Sequence, residues 1–319
     1  MDEKQTRKKI DPQNKSRKKS PNVIFKKYKK DQVYTAGLFI APLFIGILAF
    51  YLIPMCQSIF YSFTKWGMFG GYEMVGLENY KRLLTDADLV QALKNTLIYA
   101  VFTVPVAIVI SVFIAVLLNS KIRGKSFYRV IYFLPAVTMT SAVAMIWKWM
   151  FNSEYGIINQ ILAVFGIDGP GWITNPDWAM VALIIVGVWS SLGTSIVIFL
   201  SGLQGIPSTY YEAADIDGAG PIRKFFSITV PLLSPTVFFQ SITSLITALQ
   251  VYDLVYMMYS ETNPALRSVQ SVAYLFYRNS FVFNEKGYGA AIVVVLLILT
   301  LIITVIEFAL QKKWVHYSY

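Results

Sequence analysis

The chain has 319 residues, of which 55% are hydrophobic and 14% charged, and its formal net charge is +10. Soluble globular proteins carry about 25% charged residues, so this composition excludes an ordinary soluble protein and indicates an integral membrane protein. The only cysteine, Cys56, rules out an intrachain disulfide and a multi-cysteine metal site. The only histidine, His316, lies near the end of the sequence, which argues against histidine-based catalysis inside the membrane.

A basic segment, residues 1–32, opens the chain. Residues 1–31 contain 12 lysines and arginines and 4 acids. Basic residues beside a span stay on the cytoplasmic side, so this excess predicts a cytoplasmic N-terminus. The composition predicts a disordered tail that lies over anionic lipid. The alternative is a tail that binds nucleic acid or an acidic partner, but its opening run has no aromatic residues interleaved for base stacking, so we expect no nucleic acid partner.

Six apolar blocks follow the tail, and each is longer than the roughly 20 residues that a helix needs to cross a bilayer. They lie at residues 33–62, 95–118, 130–151, 179–202, 234–257 and 288–311. The blocks predict an all-α integral membrane protein with six transmembrane helices. An even number of spans places the C-terminal residues 312–319 in the cytoplasm as well. The loop Ser120–Arg129, with four basic residues and no acid, supports that orientation.

The sequence "GKS" at Gly124–Ser126 is the only hint of a phosphate-binding loop. Such a loop needs a glycine five residues before Gly124, and position 119 is asparagine. We therefore expect no nucleotide cofactor on this chain and no ATP hydrolysis by it.

An acidic insert separates the fourth and fifth blocks, within residues 203–233. Its centre, "YYEAADIDGAG", holds Glu212, Asp215 and Asp217. A carboxylate at the bilayer centre costs at least about 2.5–3.5 kcal/mol, so three of them predict a loop in water. The number of preceding spans places this loop on the cytoplasmic face.

The local pattern of the insert predicts two short helices joined by a glycine elbow. Thr209–Glu212 fits a capping box at a helix start, and Gly218 suits the left-handed residue that ends that helix. Pro221 suits the first position of a second helix, which Pro231 and Pro235 would close before the fifth span. That second helix carries a mostly apolar stripe: Ile222, Phe225, Phe226 and Thr229. The elbow, lying parallel to the membrane, suits docking into a groove of a soluble partner; a solvated connector is the alternative.

The segment Glu212–Pro231 resembles the EAA loop of the membrane subunits of binding-protein-dependent ABC importers. The matching residues are Glu212, Ala213, Ala214, Gly218, Ile228 and Pro231, with Val230 where leucine is usual. Asp217-Gly218-Ala219 is similar to the carbohydrate-uptake branch of that family. The resemblance covers about residues 35–312 and includes Gly76–Leu84, Phe133–Asn159 and Leu249–Met258. The loop "YSETNPAL" after Met258 departs from it, because the family's Gly-rich turn is missing there.

The resemblance implies a transmembrane permease domain at residues 33–311, with the architecture of type I ABC importers, in a bacterial cytoplasmic membrane. It implies four kinds of partner besides lipid: a second homologous permease chain, a cytoplasmic ATPase dimer that holds ATP and Mg²⁺, an extracytoplasmic sugar-binding protein, and a sugar substrate. Closure of the ATPase dimer would drive the transport cycle through the EAA loop. The implied coupling residues are Glu212, Ala213, Ala214, Asp217, Gly218, Ala219, Phe225 and Pro231.

Polar and aromatic residues in the apolar blocks are candidates for the substrate pathway, because rings stack on sugar C–H faces and polar groups bond sugar hydroxyls. They are Trp189, Ser190, Ser195, Gln250, Tyr252 and Asp253. Ordinary helix packing, interfacial tryptophans and an Asp253–Lys148 ion pair are the structural alternatives. Pro105 and Pro135 predict kinks within spans.

A stand-alone secondary sugar carrier or channel is the alternative function. It would need coupling-ion carboxylates or an inverted repeat, and the sequence offers neither convincingly. A carrier also has no use for a cytosolic docking elbow, so the resemblance favours the importer permease.

Overall fold

The computed structural model describes residues 30–67, 70–120 and 123–316, so most of the predicted tail and the last three residues lie outside the described residues. The chain divides into two compact units, Met1–Pro54 and Met55–Tyr319. The described secondary structure is mostly helical. Five helices are long and apolar enough to cross a membrane, and a bent helix pair makes a sixth candidate.

The first candidate span is Tyr34–Tyr61. It consists of α1 (Lys30–Ile47), a π-helical turn (Leu48–Leu52) and α2 (Ile53–Tyr61). The predicted block 33–62 matches it closely.

A small hairpin follows, formed by β1 (Thr64–Trp66) and β2 (Tyr72–Met74) in antiparallel register. The helix α3 (Glu78–Leu83) lies next in the chain. The Asn79 side chain donates to the carbonyl oxygens of Ser62 and Thr64, each over 2.9 Å, and so holds the hairpin to α3.

The second span is α4 (Ala87–Asn119), which starts eight residues before the predicted block. Its start is set by Asp86, whose carboxylate accepts the backbone N–H of Asp88 over 2.8 Å. Such a cap satisfies a donor that the first helical turn leaves free, which is why the helix extends past the apolar residues.

The third predicted span, residues 130–151, is not one continuous helix. It consists of α5 (Lys125–Val137) and α6 (Thr140–Met150), which meet at a bend of 103°. Thr138 and Met139 have extended backbone torsions. The Thr138 hydroxyl donates a hydrogen bond to the Leu134 carbonyl oxygen over 2.8 Å. The side chain thus replaces a helical backbone bond that the break removes. The break lies three residues beyond Pro135, where a kink was predicted.

The next elements are α7 (Ile157–Val164) and the fourth span, α8 (Pro176–Gln204). Asn175 caps α8 by accepting the backbone N–H of Asp177 over 2.9 Å. The helix α8 packs along α4 and α5 and forms the centre of the bundle.

The predicted second short helix of the insert does not exist as a separate element. After α9 (Ser208–Ile216), a continuous helix runs over Pro221–Leu249 as α10 (Pro221–Lys224), a π-helical turn (Phe225–Thr229) and α11 (Val230–Leu249). Pro231 follows the π turn at the very start of α11, and Pro235 lies inside α11. The Ser234 hydroxyl donates to the Pro231 carbonyl oxygen over 2.6 Å, supplying the bond that Pro235 cannot make. The helix therefore continues through both prolines.

The fifth span ends at Leu249, eight residues before the predicted boundary. The chain then forms α12 (Asp253–Met258), α13 (Leu266–Val269) and α14 (Val272–Tyr277). A π-helical turn (Arg278–Val282) leads to the last span, α15 (Lys286–Gln311). The predicted block 288–311 agrees with α15.

The largest buried cluster lies where α4, α6 and α8 meet the segment from α12 to α14. Within it the Tyr259 hydroxyl donates to the Ala179 carbonyl oxygen over 2.8 Å. Large apolar side chains of α15, such as Leu301 and Val305, are exposed on the bundle surface. Such a surface suits a lipid environment.

Candidate coupling loop and central cavity

The turn at Gly218 has the hydrogen bonds of a Schellman helix end. Gly218 has φ +70° and donates its N–H to the Asp215 carbonyl oxygen over 3.1 Å. Ala219 donates to the Ala214 carbonyl oxygen over 2.8 Å. A Cβ at position 218 would meet no atom within 4 Å, so the torsion and not lack of space favours glycine. The predicted helix end is confirmed.

Side-chain contacts tie the two arms of this turn together. Lys224 forms an ion pair with Asp215, which joins α10 to α9. The Tyr211 and Thr229 hydroxyls are hydrogen-bonded over 3.0 Å and join α9 to the π turn. The EAA loop, residues 203–233, therefore places α9 against the start of the fifth span in a fixed arrangement.

The predicted capping box is wrong. The helix α9 begins at Ser208, directly after Pro207, and no side-chain hydrogen bond caps that start in the described chain. Thr209 already lies in the first turn, because the fixed φ of Pro207 leads the chain into the helix two residues earlier than predicted. Glu212 forms no cap at this helix start and is exposed.

The surface of the EAA loop combines acids with apolar side chains. Glu212 and Asp217 are exposed and form no ion pair with described residues, whereas Asp215 is engaged by Lys224. Ile216 is 88% exposed and Phe226 is 66% exposed. The sequence reasoning missed Ile216; an isoleucine inside an acidic helix turn was the available indication.

The other predicted coupling residues divide between exposed and half-buried positions. Ala213 and Gly218 are exposed, while the half-buried ones are Ala214, Ala219, Phe225 and Pro231. The predicted apolar stripe is divided too, because Ile222 and Phe226 are exposed and Thr229 is buried.

A cavity of about 550 Å³ lies between α4, α5, α8, α11 and the segment that follows α11. Five of the six predicted pathway residues line it: Ser190, Ser195, Gln250, Tyr252 and Asp253. The structure thus brings together residues that are far apart in the sequence.

Trp189 does not line the cavity. Its ring packs edge-on against Trp147, with the ring centroids 5.8 Å apart, beside the main buried cluster. At this position the structural alternative, ordinary helix packing, describes the contact.

Gln240 also lines the cavity and was not predicted. Its Nε2 donates to the Ser195 hydroxyl over 2.7 Å and to the Ser244 hydroxyl over 2.8 Å. Its Oε1 is buried and has no hydrogen-bond partner among the described residues, and the same holds for the Ser190 hydroxyl oxygen. A glutamine within an apolar span was the indication in the sequence.

The predicted fifth span included Gln250, Tyr252 and Asp253. In the structure these three residues lie beyond the end of α11. Tyr252 stacks on Tyr256 with centroids 5.4 Å apart, forming an aromatic wall next to Asp253. Burial raises the pKa of Tyr252 to about 12, so its hydroxyl remains a hydrogen-bond donor at neutral pH. Asp253 is exposed and forms no ion pair with Lys148, although both residues are described.

Comparison with known proteins places these features in a family. Residues 89–316 match the family model described as "Binding-protein-dependent transport system inner membrane component". The probable ABC transporter permease protein YesP of Bacillus subtilis is 39% identical, over 88% of this chain and 91% of that protein. The arabinooligosaccharides transport system permease protein AraP of Bacillus subtilis is 34% identical, over 87% and 88%. The lactose transport system permease protein LacF of Rhizobium radiobacter is 34% identical, over 86% and 93%.

A solved structure shares the fold. A chain from the crystal structure of a bacterial alginate ABC transporter, in complex with an alginate pentasaccharide-bound periplasmic protein, superposes with a TM-score of 0.78. It is 18% identical, and the match covers 89% of this chain and 96% of that one. The six-span arrangement with its broken third span is therefore an ABC transporter permease fold, and the protein crosses the membrane several times. The chain belongs to the family of binding-protein-dependent transport system inner membrane components.

Proposed function

We propose that this permease forms half of the membrane pathway of an ATP-driven sugar importer. The observation that carries the proposal is the continuous helix Pro221–Leu249. Its first turns belong to the EAA loop, and its later turns, with Gln240 and Ser244, line the cavity. A displacement of the EAA loop is thereby transmitted along one rigid element to the cavity wall.

The EAA loop docks a cytoplasmic ATPase subunit in this proposal. An ion pair and a hydrogen bond join its two arms, and its turn is exposed. Glu212 and Asp217 form no ion pair with described residues. Exposed Ile216 and Phe226 supply apolar contacts for the same partner. ATP and Mg²⁺ are held by the ATPase dimer, and this chain binds no cofactor. Relatives of this chain are named as permeases, which fits a subunit without catalytic activity.

The substrate class follows from the relatives and from the cavity. Relatives are named as permeases for arabinooligosaccharides, lactose and multiple sugars. Serine hydroxyls, amides and the Tyr252 ring around one cavity offer hydrogen bonds and a stacking surface to a saccharide. An oligosaccharide is therefore the proposed substrate, and Ser190, Ser195, Gln250, Tyr252 and Asp253 border its path.

The remaining parts of the proposal concern topology and assembly. Both termini lie in the cytoplasm of a bacterial cell, a second similar permease completes the pathway, and an extracytoplasmic sugar-binding protein delivers the substrate. The complex of the alginate transporter with a periplasmic protein supports a partner of that kind. A stand-alone carrier or channel would use the same cavity but would leave the exposed EAA loop without a role.

Purification of the tagged chain in mild detergent from its native host, followed by mass spectrometry, tests the proposal. We expect an ATPase and a second six-span chain to be recovered with it, and the ATPase to be lost from Glu212→Lys and Gly218→Val. The matched control is Asp215→Asn, which removes an acid that Lys224 already engages. A chain that purifies alone and still transports would establish the carrier instead.

A further inference from the structure

The cavity wall carries hydroxyl and amide groups, which donate and accept hydrogen bonds, and one carboxylate. The amide nitrogen of Gln240 already donates to Ser195 and Ser244, and its Oε1 is buried. Asp253 lines the same cavity, and its carboxylate oxygens accept hydrogen bonds. A carboxylate that accepts hydrogen bonds from sugar hydroxyls has no matching partner in the carboxylate of an acidic sugar.

The charge of the wall points the same way. Among the residues described as lining the cavity there is no lysine, arginine or histidine, and Asp253 is the one carboxylate. No described cation pairs with Asp253. The carboxylate therefore keeps its full negative field at the end of the cavity that lies opposite the EAA loop.

We propose that Asp253 makes this cavity selective for neutral saccharides by acting as its charge filter against acidic ones. This inference rests on the proposed function. A neutral oligosaccharide presents hydroxyl donors to the Asp253 carboxylate, with the Tyr252 ring beside it for stacking. A uronate brings an acceptor-only carboxylate towards Asp253, and like charges repel each other.

The experiment separates this inference from the proposed function by using two measurements. The first is uptake of radiolabelled neutral oligosaccharides and of oligogalacturonides by cells that express the complete transporter. Uptake of no saccharide would refute the proposed function, and the inference with it. Uptake of any saccharide leaves the second measurement to decide the inference.

The second measurement is saturation-transfer NMR on the complete membrane complex in nanodiscs, without the binding protein, so that only the membrane chains select. The probes are arabinotriose and trigalacturonate. We expect the native complex to bind trigalacturonate at least tenfold more weakly than arabinotriose. Asp253→Lys should bring the two affinities within about threefold of each other, and Asp253→Asn should give an intermediate ratio.

The matched control is Asp168→Lys, the same charge change at an exposed position outside the cavity, which should leave the ratio unchanged. Equal binding of both probes by the native complex, or of neither, would overturn the inference. It would also be overturned if the ratio stayed the same in Asp253→Lys, or moved as far in Asp168→Lys.

Discussion

The ring of Tyr99 on α4 occupies the space that a side chain at Gly187 on α8 would need. A Cβ at position 187 would collide with the Tyr99 hydroxyl and stand 2.8 Å from its Cζ. Tyr99 is only 5% exposed, so the ring has little room to withdraw. Small residues let membrane helices approach closely, and here that approach also sets one wall of the cavity.

Gly187→Ala should therefore destabilise the bundle, by about 1–3 kcal/mol as is typical of overpacking. We expect a lower melting temperature of the detergent-solubilised protein, measured by scanning fluorimetry. Tyr99→Phe in the same chain should restore part of the loss, because it removes the atom closest to the added methyl group. Gly220→Ala is the control, since no atom lies within 4 Å of that Cβ and its φ is negative. A melting temperature of Gly187→Ala equal to that of the control would contradict this packing.

Gly218→Val should uncouple transport while the protein still inserts in the membrane. The left-handed torsion at this position costs a residue with a Cβ about 1–2 kcal/mol, and a β-branched residue resists it most. Because a Cβ meets open space here, Gly218→Asn, which tolerates the same torsion, should retain most uptake. Sugar uptake and recovery of the ATPase, both at matched expression, are the measurements. Equal loss in the two variants would mean that contact with the partner, and not the torsion, selects glycine.

Two acids of the EAA loop, Asp215 and Asp217, should respond differently to substitution. Asp215 is two-thirds exposed and its pair with Lys224 is a surface ion pair, which contributes about 0–1 kcal/mol. Asp215→Asn should therefore change uptake less than twofold. Asp217→Lys should reduce ATPase recovery at least fivefold, because Asp217 has no described partner in this chain and faces outward. A uniform response of the two positions would argue that only the total charge of the loop matters.

Local chemistry explains which parts of the fold the sequence could predict. Gly218 and Pro221 act through their own torsions, so the helix end and the next helix start were predicted correctly. The bend at Thr138 was missed as a break, because apolar residues continue on both sides and hydropathy does not register a change of direction. The end of α11 at Leu249 was misplaced for the same reason, since the buried residues of α12 extend the apolar run.

The candidate site was predictable in part. Ser190, Ser195, Gln250, Tyr252 and Asp253 stood out as polar or aromatic residues in apolar blocks, and the structure gathers them at one cavity. Trp189 carries the same sequence pattern but turns towards Trp147. Helix rotation decides between these outcomes, and it depends on neighbouring helices that a single sequence does not reveal.

Asn95 on α4 provides the clearest test of how the segment after α12 is held. Its Nδ2 donates to the carbonyl oxygens of Arg267 and Gln270, over 2.9 Å and 3.0 Å, and its side chain is buried. Asn95→Leu would leave two carbonyl groups without these donors, at a cost of about 1–3 kcal/mol for each one that stays buried. Asn95→Asp should be at least as harmful, because a carboxylate would face both carbonyl oxygens.

We expect both variants to lower the melting temperature and to increase hydrogen exchange in residues 266–272. Gln91→Leu is the matched control, because it removes only the 2.8 Å bond that Gln91 donates to Asn95. Its effect should be clearly smaller. The Thr96 hydroxyl still accepts the backbone N–H of Val272 over 3.0 Å in every variant, so the segment should loosen without detaching. Unchanged exchange in residues 266–272, with a fall in melting temperature, would place the lost stability elsewhere in the bundle.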